Sequence, residues 1–454
     1  MPDSGAGDGT GGTVAQQAFP NKMWSFIYTI CAKLSSMRIA IVGAGVSGLV
    51  VAYLLHREHE ITVFEAADYA GGHTHTIVVD TPNETHHVDT GFIVFNDRNY
   101  PAFERLLTRL GVAWQPSTMS FSVSDGIGDF EYSGASPNGL FAKRRHLLTP
   151  WFHRMVSDLA RFNRAARGLL AGGGDDLWAG PSLGEWLERQ RFSRPFIERL
   201  IVPQVAAVWS AEPRQMWSFP ARFLAEFFDH HGMLGFRNRP CWRVISGGSA
   251  RYVDALTAPF ADRIRLRTPV QDVRRDEDGV LVSPRGATAE RFDQVVLATH
   301  SDQALALLSD ASSAERAILA AIPYQVNEAV LHTDVRMLPR RRRAWASWNY
   351  HWQPEPSPRA TVTYHMNRLQ SLRAEREFCV TLNRSEAIDP ARVIRRITYA
   401  HPVYTADGVK AQRRFEHISS AHRVHLCGAY WGWGFHEDGV RSALRVAERF
   451  GARL

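Results

Sequence analysis

Residues 37–49, Met-Arg-Ile-Ala-Ile-Val-Gly-Ala-Gly-Val-Ser-Gly-Leu, constrain this chain more than any other stretch. An apolar run stops at Gly43, and Gly43, Gly45 and Gly48 then stand in G-x-G-x-x-G spacing. The pattern predicts a buried strand, a tight turn and the start of a helix. Gly43 permits the turn, Gly45 lets backbone approach a pyrophosphate, and Gly48 lets the helix close on the strand. The helix start offers free N–H groups and a partial positive charge to phosphate. A second apolar run, Ile61–Phe64, ends at Glu65, 20 residues after Gly45, where a carboxylate can accept from a ribose hydroxyl. A lone glycine turn would be an ordinary βαβ crossover. With the second strand and its acid, it predicts a dinucleotide site in an α/β fold.

The chain has 454 residues, enough for two or three domains. Hydrophobic residues make up 45% and charged residues 22%, which places it among globular proteins. A net charge of +7 favours anionic ligands or an anionic surface and is too small to imply nucleic acid. Cys31, Cys241, Cys379 and Cys427 are far apart with no CxxC, which argues for a reducing compartment and against a zinc site. The expected location is the cytoplasm, with a peripheral position at the inner membrane face as an option. Residues 1–36 read as a disordered or mis-assigned extension. Gly5–Gly12 is rich in Gly, Asp and Thr, and the apolar Met23–Ala32 is too short to span a bilayer and lacks the flanks of a signal peptide. Met37, directly before the first strand, is an alternative start of translation.

Further along, Gly71-Gly72-His73 precedes two strands, Ile77–Val79 and His86–Val88, turned at Pro82-Asn83. Asp89-Thr90-Gly91 leads into Phe92–Phe95, and Pro101–Leu110 is an amphipathic helix stopped by Gly111. Trp151–Leu170 is a helix ended by Gly172-Gly173-Gly174, and Ser182–Gln190 opens with a Ser182/Glu185 capping box. Helical pattern continues to about residue 229, dense in Trp and Phe. Ile264–Arg267, Val270–Arg274 and Val280–Val282 are short strands, the last two joined at Asp278-Gly279, and Phe292–Ala298 is a strand that can rejoin the first sheet. Ala329–Thr333, Ala344–Tyr350 and Thr361–Met366 read as antiparallel strands of a second sheet. Val424–Cys427 is a last buried strand before Gly428, and Gly439–Phe450 a closing helix.

The ordered set Gly43–Glu65, Gly71-Gly72, Asp89-Thr90-Gly91, Ser246-Gly247-Gly248-Ser249, Val295–Thr299 and Cys427-Gly428 followed by Glu437-Asp438-Gly439-Val440 resembles the flavin amine oxidase superfamily over residues 37–454. The segments 428–439 and 344–351 look like its bacterial predicted NAD/FAD-binding branch, whose members are linked with cyclopropane-fatty-acid-synthase-like methyltransferases. The resemblance implies a Rossmann-type FAD-binding domain from residues 37–120, 240–300 and 420–454. A helical insertion (121–239) and a mixed sheet (301–419) would form the substrate domain. It implies that Gly43, Ala44, Gly45, Val46, Ser47 and Gly48 hold the FAD pyrophosphate and Glu65 the adenosine ribose. Gly71, Gly72 and His73 would pass beside the phosphates and ribityl, Thr90, Gly91 and Phe92 would lie near the isoalloxazine, and Val270 would hold the adenine through its backbone. Gly428, Asp438 and Gly439 would belong to the same site, with the Val440 N–H aimed at the flavin N1/O2 edge. Two departures stand out. His73 replaces an arginine common after the paired glycines, and the strand around Val326–Leu331 has no lysine, where amine oxidases hold a water at flavin N5. No Ser-Gly-Gly-Cys element marks covalent attachment, so the FAD is expected to be non-covalent.

His73, His75, His86 and His87 suggest a metal cluster by count, but no nearby carboxylate arrangement completes a ligand set and no metal is expected. Trp431, Trp433, Phe435 and His436 form either a wall over the flavin or aromatic packing under the last helix. His436, Glu437 and Trp433 are the catalytic candidates; either ionisable group can instead cap a helix. Tyr350, His351, Tyr364 and His365 lie on predicted substrate-sheet strands, where alternation keeps them from sharing one face. Arg340–Arg343 and Lys143–His146 are solvated loops or a patch for anionic lipid. The leading expectation is hydride transfer from a C–H of an apolar substrate, desaturating or isomerising a fatty acyl chain that is methylated or phospholipid-bound. The alternatives are an amine oxidase releasing aldehyde, ammonia and peroxide, and a non-catalytic FAD-holding partner of a lipid methyltransferase.

Overall fold

In the computed structural model, residues 36–172, 180–209, 215–235, 239–353, 359–420 and 422–454 are described. Residues 1–35 and Gly173-Gly174 lie outside them, so the expectations for the N-terminal extension and for that part of the glycine stop fall outside the described residues. Among the described residues no helix is long and apolar enough to cross a membrane.

The glycine-turn strand becomes the centre of a five-stranded parallel sheet. Its order is Ile264–Arg265, Glu60–Phe64, Arg38–Val42, Gln294–Leu297, Val424–Leu426. The three separated segments therefore build one sheet, and Phe292–Ala298 does rejoin it. Helix Val46–Leu55 is apolar on all sides and buried from Ser47 to Ala52, as a helix covered on every face must be. Pro101–Leu110 forms as predicted, ended by Gly111 in a left-handed conformation (φ 67°). The hairpin pairs Ile77 with Val88, and the Ser182/Glu185 capping box is made.

The second sheet departs from the reading in extent and direction. It has seven strands, ordered Val393–Pro402, Tyr324–His332, Cys379–Leu382, Val362–His365, Trp348–His351, Phe121–Ser124, Glu131–Ser133. Phe121–Ser124 runs parallel to Trp348–His351, and the rest pair antiparallel. Residues 121–133 thus belong to the sheet, and the helical segment begins at Pro137. Arg342–Ala344 is a 3-10 turn, so the expected strand starts only at Trp348. Val393–Pro402 escaped the pattern because it is an edge strand whose apolar residues alternate irregularly with exposed arginines. A buried polar row crosses this sheet, with His351 Nε2 on Thr363 Oγ1, Thr363 on Thr381, and Thr381 on His332 Nε2, each 2.7 Å. The helices from Pro150–Ala171 to Ala221–His230 pack over one end of the sheet around Phe152, Phe162, Phe196 and Phe228.

Candidate functional site

Two glycines of the turn are required by the fold itself, and the third leaves open space. Gly43 has φ 104°, and a Cβ there would stand 2.8 Å from the Ala298 carbonyl oxygen. A Cβ on Gly48 would meet the Gly43 oxygen at 2.0 Å, so Gly48 lets the helix close on the turn. A Cβ on Gly45 would meet nothing within 4 Å, and this residue begins helix Val46–Leu55 without a side-chain cap or an acidic group in the first turn. Open space above uncapped helix N–H groups suits a pyrophosphate. Gly71 (φ 131°) donates its N–H to the Ala44 oxygen at 2.7 Å, and a Cβ on Gly72 would touch the Gly45 Cα at 3.0 Å. The paired glycines therefore lie against the turn as expected.

Glu65 accepts from the Ala44 N–H (2.7 Å) and the Ala67 N–H (2.8 Å), leaving further lone pairs for a ribose. Thr268 donates its N–H to the Glu65 carbonyl (2.7 Å), which brings the strand of Val270 alongside. Ser47 Oγ donates to the Gly439 carbonyl (3.0 Å), and a Cβ on Gly439 would stand 2.7 Å from Val46. Val46, Ser47 and Gly439 thus lock the first and last helices together, and only the Val46 and Ser47 backbone remains for phosphate. A dinucleotide fits this set of residues.

Two signature motifs meet through a buried carboxylate. Asp89 accepts from Ser249 N (2.9 Å) and Oγ (2.7 Å), from Thr76 Oγ1 (2.6 Å) and from Gln370 Nε2 (2.9 Å). Burial raises its pKa to about 6 against these bonds. Thr90 Oγ1 donates to the His75 carbonyl (2.8 Å) and lies 2.9 Å from the Tyr399 hydroxyl. A Cβ on Gly91 would stand 2.1 Å from the His73 oxygen, and Phe92 donates its N–H to that same oxygen.

The residues around the last helix serve other roles than those expected. His436 stacks on Phe92 at 3.7 Å and bonds the Tyr252 hydroxyl through Nε2 at 2.6 Å; burial lowers its pKa to about 3. Phe92 accordingly turns its ring to His436. Glu437 accepts from the Ala102 N–H (3.0 Å) and Phe103 N–H (2.9 Å), capping helix Pro101–Leu110. In these contacts His436 packs and Glu437 caps, the alternative that the sequence left open beside an acid/base role. Asp438 Oδ2 accepts from the Trp433 and Phe435 N–H groups (3.0 Å each), and burial raises its pKa to about 6. Its carboxylate is committed to its own loop. Val440 is the fifth residue of helix His436–Arg449 and fully buried, past the N–H groups that lack intrahelical acceptors. The uncommitted donors are at His436 and Glu437 instead. Gly428 donates its N–H to Ser442 Oγ (2.9 Å). Trp431 packs on Phe415 in the core behind the sheet, so it is no part of a wall. Trp433 stacks on Phe223 (4.5 Å), and Phe435 faces Phe227 (5.8 Å), forming an aromatic seam between the helical segment and the last helix.

A histidine group that sequence reasoning missed lies where the two sheets meet. The His73 ring lies 5.0 Å from Tyr399, 5.3 Å from His401 and 5.9 Å from His300. His73 Nε2 is sealed from solvent with no hydrogen-bond partner. Burial, with His300 beside it, lowers its pKa to about 4; burial likewise lowers His300 to about 4 and His401 to about 3. Asn327 Oδ1 accepts from Asn383 and Gln325, so its Nδ2 donates to His401 Nδ1 (2.8 Å) and the His401 proton sits on Nε2. His300 follows the carboxyl end of strand Gln294–Leu297, the usual place for ligand contacts in such sheets. His75 stacks on Tyr69, His86 packs on Phe378 and His87 lies against Gly248, so the four sequence histidines do not converge. His365 pairs with Glu377 (2.7 Å), and Tyr350 packs in the helical core. Among the described residues the two lysines lie elsewhere, Lys143 on Asp129 (2.8 Å) and Lys410 on Asp407 (3.4 Å).

A family model described as flavin containing amine oxidoreductase matches residues 46–450. Cyclohexylamine oxidase from Brevibacterium oxydans IH-35A superposes with a TM-score of 0.66 at 18% identity, over 92% of this chain and 100% of that one. Wild-type putrescine oxidase bound to putrescine gives 0.60 at 15% identity, over 91% and 99%. A CLA-producing fatty acid isomerase from P. acnes gives 0.64 at 15%, over 91% and 98%. At these identities the likeness is one of fold.

Proposed function

The chain belongs to the flavin-containing amine oxidoreductase family and is an FAD-dependent oxidoreductase, and on that premise we propose that it oxidises or isomerises an apolar substrate, a fatty acyl chain. The bound FAD supplies two-electron redox chemistry by accepting a hydride equivalent. The Gly43–Gly48 turn and the start of helix Val46–Leu55 bind its pyrophosphate, and Glu65 accepts from its ribose. The aromatic seam carries the substrate assignment. Trp433, Phe223, Phe227 and Phe435 stack into an apolar lining beside the loop that joins Gly428 to the last helix, and both described lysines are paired with aspartates, Lys143 with Asp129 and Lys410 with Asp407. Such a lining takes hydrocarbon and excludes water. His73 and His401, neutral and next to one another, are the groups that hold or move a proton, the first with a free Nε2 lone pair and the second with an Nε2–H. The CLA-producing fatty acid isomerase of the same fold supports acyl chemistry on this scaffold. The test is anaerobic incubation of FAD-loaded protein with free and phospholipid-bound acyl chains, followed by lipid mass spectrometry. New or shifted double bonds are expected. Unchanged lipids together with peroxide and aldehyde from an amine panel incubated in air would overturn the reading.

A further inference from the structure

The two basic runs of the sequence are some two hundred residues apart, yet they grip one turn. Lys143 Nζ bonds Asp129 (2.8 Å), Arg341 Nη1 donates to the Gly128 carbonyl (2.9 Å), and the Arg340 side chain stands 2.9 Å from where a Cβ on Gly128 would lie. Segment 143–148 and loop 340–343 therefore share the face of the Asp125–Phe130 turn. Arg145 and Arg340 are both close enough to act on the charge of Asp129.

This face is apolar as well as basic. Nine large apolar side chains are exposed among the described residues, and Ile127 (63%), Leu147 (48%) and Leu148 (87%) are three of them. Scattered exposed apolar side chains need no explanation, but three carried by the adjoining segments that hold these basic residues form an amphipathic patch. Arg144, Arg145, Arg340, Arg342 and Arg343 on these segments are exposed, and among the described residues none pairs with a carboxylate. The local acids are already committed. Asp125 accepts from the Ile127, Gly128 and Phe130 N–H groups, Asp129 holds Lys143, and Glu131 holds Arg341. Beneath the patch, Arg199 rises from the π-helical turn Ile197–Ile201. Its guanidinium lies 4.7 Å from the Trp151 and Trp352 rings and 4.9 Å from Phe130. No hydrogen bond or ion pair satisfies it among the described residues.

We propose that this face docks on an anionic lipid bilayer, with Ile127, Leu147 and Leu148 entering the headgroup layer and the arginines meeting lipid phosphates. An anionic surface complements the unpaired cations, and a bilayer accepts the apolar side chains that a solvated basic loop has no use for. The docking is independent of which substrate is turned over, so its failure and that of the acyl assignment read out separately. Co-sedimentation of the FAD-loaded protein with vesicles tests it. Binding to phosphatidylcholine vesicles that contain phosphatidylglycerol should exceed binding to pure phosphatidylcholine by roughly tenfold and fall with added salt. Leu147→Ser with Leu148→Ser, and Arg340→Gln with Arg343→Gln, should each cut it by about tenfold, with flavin absorbance and melting temperature kept. Equal binding to both vesicle types overturns the proposal. So does loss with the arginine pair but not the leucine pair, which would mark a site for a soluble polyanion such as an acidic protein.

Discussion

His436 is buried and His73 half-buried beside the same Thr90–Phe92 segment, and their nitrogens are treated differently. His436 stacks on Phe92 and bonds Tyr252, and its neighbour Glu437 is used up capping another helix. His73 keeps an unpaired Nε2 and faces two more neutral histidines. Burial alone therefore does not mark a reactive group. A buried polar atom with all its bonds made holds structure, whereas one left without a partner is costly unless a ligand or a proton-transfer step uses it.

Substitution in the cofactor turn should have the largest effect, because both histidine regions depend on it. Gly48→Val places atoms against the Gly43 carbonyl, and FAD content per chain, read from flavin absorbance, should fall by more than about tenfold. Full flavin loading would show that the turn does not carry the cofactor. His401→Ala tests the unsaturated side. It should lower kcat by roughly a hundredfold and move the melting temperature little. An equal loss from His436→Asn would erase the distinction between the two regions.

Acid unfolding tests the saturated side. The His436 pKa is near 3 folded and near its ordinary 6.5 unfolded, so the native state binds fewer protons below 6.5. Its contribution is complete above pH 6.5 and lost as pH falls toward 3; His73, His300 and His401 act in the same direction. Asp89 and Asp438, raised to about 6, act oppositely, favouring the fold as pH falls from 6 toward their ordinary value. Denaturant titration should show stability dropping from pH 7 to pH 5, with His436→Asn losing up to about 2 kcal/mol less than wild type. The smallest effect belongs to Glu437→Gln. Weakening two capping bonds on Pro101–Leu110 should cost about 1 kcal/mol of stability with kcat unchanged. A large drop in kcat at unchanged stability would restore Glu437 as a catalytic group.

Much of the fold was legible because its signals are local. Three glycines at fixed spacing, an acid at the end of the next strand, Gly111 after Leu110, and Ser182 three residues before Glu185 each act through neighbouring backbone. The irregular edge strand Val393–Pro402 and the parallel strand Phe121–Ser124 were missed, and with the first went Tyr399 and His401. A short or edge strand carries no continuous apolar run, and pairing between distant segments leaves no periodic trace.

By itself, the sequence determined a dinucleotide turn and the segments that build the sheet around it, since backbone sterics and side-chain period are written residue by residue. Only the tertiary structure decided which ionisable groups are consumed and which are left open. The carboxylate of Glu437 finds its donors 335 and 334 residues away, and His73, His300 and His401 meet only after two sheets have packed. Hydrogen-bond saturation depends on such long-range neighbours, and no spacing along the chain encodes them.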